Sequence, residues 1–571
     1  MSNAAILIHP DAYDTTAPRL MGRQSAGEGF LRGFLRHAEV DRFHFWNISP
    51  QPVAAVERMV ARIEPPKRPV RWVAGRPDLH EPGVLYMPGP SFGPEAWLRR
   101  PLGPRRYALC GVTHTTATHR IMDAFSDLLT SPVEPWDALI CTSRAVREST
   151  EHQFELVRED LRARLGATRF ATPMVATIPL GVNAGDFAPD PEARKRWRER
   201  LGVPQDAVVA FSMGRVSVSG KMNPAPAAIA LQQAAERTGT KLYWIVAGWS
   251  ETEALAARAH GLTRALCPSV EYIAIDGRPA DVRFSIWSAG DFFISLSDNI
   301  QETFGLTPVE AMAAGLPVVV SDWDGYRDTV RHGLDGFRIP TYAPRPGLGR
   351  DLAYQYAADN ITYDAYIAVT TQVTAVDPAP LAAAISQLIL DPQLRRRMGE
   401  AGRRRAAEVF DWSVVIPQYQ ALWAEQNARR LAAIRRGDAV VGPSDSPTRP
   451  DPFALFAGYP TETLQPDHRL AIAPGLTWNT ARARLSHDLA TMMSGFLPSI
   501  EEAERVFEAV SRNGHISVRE LVAPFGPRAN VVERGLLWMV KFDVLTILAR
   551  PELAADADPA AAAAPQPAPG E

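Results

Sequence analysis

Two carboxylates, Glu302 and Glu310, stand with seven residues between them and flank Phe304-Gly305, at a point where a short apolar run gives way to a helical pattern. The run Phe292 to Leu296 is continuous and bounded by polar residues, as a buried strand of a parallel sheet is. A second such run, Pro317 to Val320, follows the helix. Backbone N–H groups after Phe304 then stand at a helix N-terminus, where unpaired donors and the dipole favour phosphate. Gly305 lets a ligand come close to the backbone, and the carboxylates can accept hydrogen bonds from the paired hydroxyls of a sugar or a ribose. For Glu310 another explanation stands beside this one. Thr307-Pro-Val-Glu310 has the form of a capping box with Pro at the first helical position, in which the glutamate closes the helix start. Spacing alone does not separate the two readings. Glu302 precedes the helix, in a loop, and has no such explanation.

Three other places carry chemistry. Gly214-Arg215 ends a predicted strand, Val208 to Met213, and Lys221 follows six residues after Arg215. Cations at a strand's carboxyl end can hold a diphosphate and stabilise it as it leaves, although on these residues alone two solvated cations in a loop is the plainer reading. His114 ends another strand, where α/β sheets place ligand groups. With His119 it makes a pair lacking a third ligand, so zinc is not expected. The segment Gly22 to Gly29 reads as a glycine-rich loop before a helix starting near Phe30, a feature of any Rossmann-like sheet.

Glu302, the Thr-Phe-Gly-Leu after it, and Glu310-Ala-Met-Ala-Ala-Gly-Leu-Pro-Val-Val-Val together resemble the donor-site signature of retaining glycosyltransferases of family 4 (glycosyl transferases group 1), which are GT-B enzymes using nucleotide-sugars. The likeness extends over about residues 4 to 430. It implies an α/β GT-B fold, two Rossmann-like domains facing a cleft, and transfer of a sugar from a nucleotide-diphosphate sugar to an acceptor hydroxyl on a glycan, a lipid-linked sugar or another molecule. It implies that Arg215 and Lys221, with Gly214 beside them, hold the departing diphosphate and that Glu302 binds donor-sugar hydroxyls. By the same resemblance the backbone of Phe304, Gly305 and Leu306 would lie beside phosphate and sugar, Glu310 would hold the ribose diol, and His114 and Gly27 would line the sugar and acceptor side. The loop after Ile275 (Asp276, Gly277, Arg278) is where the resemblance implies contact with the base. One departure is Val216-Ser-Val-Ser-Gly-Lys221, where the family's Lys-Gly pair is missing. No carboxylate stands out as a covalent nucleophile, so leaving-group-assisted transfer on one face fits better than double displacement. No metal or other cofactor is expected, because no Asp-x-Asp pair suits Mg²⁺ or Mn²⁺. A GT-B epimerase or phosphorylase would share this fold. A non-catalytic scaffold would not keep Arg215, Lys221, Glu302 and Glu310 together.

The elements that must position these groups alternate strand and helix, the pattern of a doubly wound parallel sheet. Strands are predicted at 4–9, 43–48, 70–74, 84–87, 107–113, 138–142 and 174–180, and again at 208–213, 242–247, 270–275, 291–296 and 317–320. This divides the chain into a first Rossmann-like domain, 1–188, and a donor domain, 203–410, interrupted by an insertion at 342–374. The insertion is tyrosine-rich (Tyr354, Tyr356, Tyr363, Tyr366), a composition that suits packing or an interface and also suits sugar faces. A helix crossing back onto the first domain is expected at 411–436, then a linker at 437–466. Residues 467–550 look like a small winged-helix domain of three helices and a closing strand, and 551–571 like a disordered tail. The third of these helices mixes Arg528, Arg534 and Lys541 with Glu533 and with Leu536, Leu537, Trp538 and Val540. That face suits a protein partner or a second subunit rather than nucleic acid.

Composition agrees with this organisation. A length of 571 residues allows several domains, and 46% hydrophobic with 22% charged residues is ordinary for a globular chain. A formal charge of −3 gives no broad grip on nucleic acid. Cys110, Cys141 and Cys267 lie far apart, as in a reduced cytoplasmic protein. The N-terminus has no signal-peptide pattern and no stretch reaches the ~20 apolar residues of a membrane span, so membrane contact would be peripheral at most.

Overall fold

The computed structural model describes residues 3–15, 22–250, 252–438 and 445–548. Within these, the apolar runs of the first half form β1 (Ala5–Ile8), β2 (Phe43–Asn47), β3 (Val70–Trp72), β4 (Val84–Met87), β5 (Ala108–Val112), β6 (Ala138–Cys141) and β7 (Met174–Thr177). They join in one parallel sheet of order β3-β2-β1-β4-β5-β6-β7. The second half repeats the plan with β8 (Val208–Arg215), β9 (Leu242–Trp249), β10 (Val270–Asp276), β11 (Phe292–Ser295), β12 (Val318–Ser321) and β13 (Gly336–Ile339), in the order β10-β9-β8-β11-β12-β13. Each sheet reverses direction once, between β1 and β4 and between β8 and β11. Ligands of such sheets bind beyond the carboxyl ends of the strands at that switch point. These are the two Rossmann-like α/β domains that the resemblance implies.

The domains are tied by the chain's return. Val182 N–H donates to Phe410 O at 2.8 Å and Trp412 N–H to Val182 O at 3.1 Å, and the helix Trp412–Arg436 then runs over the first domain. Trp412 and Trp423 are fully buried there, with Phe30 against Tyr419 and Phe34 against Trp423 at ring separations of 5.1 and 5.8 Å. Glycines make the room. A Cβ on Gly33 or Gly181 would lie 2.5 or 2.4 Å from the Trp412 ring. The glycine-rich segment therefore differs from its predicted form: the helix already starts at Gly22 and runs to His37. Gly27 sits inside it, where a Cβ would meet Ala12 O at 2.0 Å. Its bareness serves helix packing, and it is not brought to the cleft.

The insertion leaves from β14 (Thr341–Tyr342) and returns by β15 (Ala375–Val376), which pair antiparallel and pin its base. Between them lie the helices Arg350–Ala357 and Tyr363–Gln372. The stretch expected as a linker includes residues 439–444, and the expected tail, with 549 and 550, lies beyond 548; these fall outside the described residues. Residues from 449 onward form a separate compact unit. It holds the helices Ile500–Asn513, Val518–Val522 and Ala529–Lys541 and the strands β17 (His515–Ser517) and β18 (Leu545–Ile547), with a helix Trp478–Leu485 ahead of them that the three-helix sequence pattern does not include. A further strand, β16 (Arg469–Ile472), had no such signal and lies at the centre of the antiparallel sheet β17-β16-β18.

If Trp412 is the rivet between crossing helix and first domain, Trp412→Ala lowers unfolding stability by ~3–5 kcal/mol. A urea midpoint equal to that of the unaltered chain would refute this.

Candidate functional site

The carboxyl ends of β8, β9 and β11 and the first domain's β5 border a cleft of about 460 Å³. Gly214, next to last in β8, has φ +144° and lies in register with Gly248 of β9. A Cβ on Gly248 would fall 2.3 Å from Gly214 O, so the two strand ends close on each other and leave the cleft floor bare. The loop after β8 turns tightly: Lys221 N–H donates to Ser217 O at 3.0 Å, and Arg215 Nη2 donates to Gly220 O at 2.8 Å. This turn brings both cations to the cleft wall.

Lys221 reaches across to the loop after β11 and forms an ion pair with Glu302. Burial alone would lower the Lys221 ammonium, but the Glu302 carboxylate and the Tyr326 ring beside it hold it well above its ordinary value. Burial alone would likewise raise Glu302. Lys221 and the backbone N–H groups of Thr303 and Phe304 override this and keep it below the usual carboxylate range. Glu302 is therefore a fixed anion, an acceptor for hydroxyls.

Gly305 opens the next helix, Leu306–Ala313, from φ +87°. A Cβ there would lie 2.1 Å from the Tyr326 ring, so Gly305 is required both by backbone conformation and by space. Phe304 turns inward to the core, 5.9 Å from Phe410, and offers only its backbone to the cleft. The capping box that the spacing allowed does not form. Gly305 holds the cap position without a side-chain bond, and Thr307 and Pro308 are the second and third helical residues, two positions too late to cap. Glu310 instead lines the cleft; burial lifts its carboxyl, partly offset by Arg283 and Lys221. Thr307 Oγ1, buried beside the same cavity, has no hydrogen-bond partner among the described residues, as a donor awaiting a ligand would be.

On the opposite wall stand His114, Thr115, Thr118, Arg23 and Ser25. Burial pushes the His114 imidazole down to about 4, against a hydrogen bond to the Pro88 backbone and with help from Arg23. It is a neutral hydrogen-bonding group at neutral pH. The walls touch below it: Thr142 Oγ1 donates to Thr303 O at 3.4 Å, Ser143 Oγ to Asp324 Oδ1 at 3.2 Å, and Arg144 Nε to Asp328 Oδ1 at 2.6 Å. Asp324 is pushed up to about 8 by its burial and by nearby Glu302. Thus Gly214, Arg215, Lys221, Glu302, Phe304, Gly305, Leu306, Glu310 and His114 meet in one cleft, and Gly27 does not. Arg283, Gln301, Trp249 and Tyr363 also line it. Of these only Tyr363, in the tyrosine-rich insertion, stands out in the sequence.

Residues 193–345 match the family model Glycosyl transferases group 1. The matched segment holds the Arg215–Lys221 loop and both glutamates. The chain is 32% identical over 179 residues to the D-inositol 3-phosphate glycosyltransferase of Thermobispora bispora, covering 30% of this chain and 40% of that one. It is 31% identical over 176 residues to the phosphatidyl-myo-inositol mannosyltransferase of Mycobacterium leprae, covering 30% and 35%. The chain spans about half the length or less of these curated relatives. Among solved structures, HepE of Anabaena in complex with UDP aligns over 74% of this chain and 99% of that one, at 16% identity and a TM-score of 0.48.

Lys221→Met would leave Glu302 buried without its counter-charge, at a cost of ~3–5 kcal/mol. The double variant Lys221→Met/Glu302→Gln should recover part of this, as chemical denaturation will show. The sign in pH is fixed too. Glu302 titrates lower folded than its ordinary 4.5, so the pair's contribution stands above that pH and is lost as pH falls below it. Acid unfolding is therefore less steep in Glu302→Gln.

Proposed function

We propose that the chain is a retaining glycosyltransferase that moves a sugar from a nucleotide-diphosphate sugar to an acceptor hydroxyl. The observation that carries this reading is the convergence of Arg215, Lys221, Glu302, Glu310 and the Gly305–Leu306 helix start at the switch point of the second sheet. Arg215 and Lys221 bind the diphosphate and take up the charge that grows on it as the sugar leaves. The helix N-terminus and the unpartnered Thr307 hydroxyl suit a phosphate oxygen. Glu302, locked as an anion by Lys221, accepts hydrogen bonds from the sugar. It is held away from nucleophilic duty by that pairing, which favours transfer on one face assisted by the leaving group. Glu310, free of any capping bond, is available to the ribose diol. His114 and Arg23 form the acceptor wall. The relatives' names, which cite inositol phosphate and phosphatidyl-inositol, make a phosphorylated polyol the first acceptor to try.

Transfer from UDP-, GDP- and ADP-sugars, with the anomeric configuration of the product read by NMR, tests the proposal. Glu302→Gln should lower turnover about 10- to 100-fold, the loss of one charged hydrogen bond of ~1.5–3 kcal/mol. Glu310→Ala should weaken nucleotide binding without an early melt. Inversion of configuration would overturn the retaining mechanism. We further propose that cations do the work of a metal here, so EDTA leaves the rate unchanged; loss with EDTA and recovery with Mn²⁺ would contradict it.

For the separate C-terminal unit we propose a protein partner rather than nucleic acid. In its third helix Leu536 and Met539 fill the core while Leu537 is exposed, and Arg528 is taken by Glu502 at 2.7 Å. Nearby in sequence, Leu489, Met492, Met493 and Phe496 are all largely exposed, an apolar surface ill-suited to phosphates. Fluorescence anisotropy of a labelled duplex with the full chain should show no binding at low salt; tight, salt-sensitive binding would reverse this.

A further inference from the structure

The insertion is fastened to both walls of the cleft. Asn299, buried in the loop after β11, donates to Thr371 Oγ1 at 2.9 Å and to Ser219 O at 2.5 Å. This ties the insertion helix Tyr363–Gln372 to the turn carrying Arg215 and Lys221. The Tyr363 hydroxyl donates to Gln301 Oε1 at 3.1 Å. Gln301 Nε2 donates in turn to Gly220 O at 2.6 Å, the carbonyl that also receives Arg215. On the first-domain side the Thr115 hydroxyl lies 3.4 Å from the Tyr363 phenol oxygen, and the Tyr356 phenol oxygen accepts the backbone N–H of His119 at 3.1 Å. Tyr356 and Tyr366 stack at 4.3 Å and 13°, which braces the helix pair. Three of the four tyrosines therefore pack or bridge, and Tyr354 is 68% exposed. Tyr363 alone among them lines the cleft, between Gln301 and Thr115.

Its sequence neighbours in space are telling: Gln301 precedes Glu302, and Thr115 follows His114. The phenol thus stands between the neighbour of the proposed sugar-binding carboxylate and the neighbour of His114. Both of its protein partners are neutral and at the long end of hydrogen-bond range, so they exchange readily for a polyol. The ring offers an apolar face to sugar C–H groups beside a hydroxyl that both donates and accepts. We propose that Tyr363, supplied by an insertion outside the matched family segment, is a specificity-determining residue that contacts the transferred sugar of the donor. The inference rests on the proposed donor site.

The test separates sugar contact from nucleotide contact. Calorimetry with UDP, GDP and ADP, and with UDP-glucose, GDP-mannose and ADP-glucose, gives for the best-bound nucleotide the affinity gained from the attached sugar. In Tyr363→Phe the free nucleotide should bind within about twofold of the unaltered chain, whereas its sugar conjugate should lose about 2- to 10-fold, the worth of one neutral hydrogen bond. Tyr354→Phe, on the exposed face, should change neither. Tyr363→Phe retaining the full gain from the sugar would overturn the proposal. So would an equal loss for nucleotide and conjugate, since that is what a merely structural role produces. Failure of the unaltered chain to bind any of the three nucleotides would instead bring down the donor site, and this inference with it.

Discussion

A carboxylate withdrawn from water must find a cation, and in this chain that requirement joins two loops that are 81 residues apart, at Lys221 and Glu302. Desolvation of either charge alone costs several kcal/mol, so the folded state admits the loop after β8 and the loop after β11 only together. Around the pair the fit is tight: Gly248 against Gly214, Gly305 against Tyr326, and Gly325, where a Cβ would lie 2.4 Å from the Phe304 Cα. The cleft's charged wall is thus a product of folding itself. A ligand meets donors and acceptors already in place, which is the condition under which electrostatic stabilisation of a leaving group is most effective.

The domain contact adds a second layer to that electrostatics. Ser143 and Arg144 of the first domain hold Asp324 and Asp328 of the second. Asp324 adopts φ +42°, a conformation that Asp tolerates better than most residues. Glu302 raises the Asp324 carboxyl while Lys221 lowers Glu302, so charge on one side of the cleft reaches the joint between domains. The joint and the site share one field.

The strands of the two parallel sheets, except β13, were legible because continuous apolar runs between polar breaks leave few alternatives; β13, Gly336-Phe-Arg-Ile339, has no such run. So were the residues around Glu302, whose chemistry is carried by local spacing. What was not legible depended on distant partners. The capping motif at Thr307 failed because Gly305 is fixed by Tyr326, 21 positions later in the chain, and that shifts the helix start. Gly27 read as a ligand loop because nothing local reveals that Ala12 presses on it. Arg283 sits in an unremarkable context and gains meaning only from the cleft it faces, and the tyrosine-rich composition did not show which tyrosine would face that cleft. β16 is short and without strong alternation, and exists because β17 and β18 flank it.

The crossing helix has a consequence for the order of events on the ribosome. The first domain's core includes Trp412, Tyr419 and Trp423, more than two hundred residues after its last strand ends at Thr177. Until those side chains emerge, Phe30, Phe34 and Tyr86 lack the rings that cover them. The nascent first domain therefore carries an open aromatic face throughout synthesis of the second, a surface on which chaperones act and on which neighbouring chains associate. Completion of the N-terminal half is timed by the synthesis of the C-terminal half.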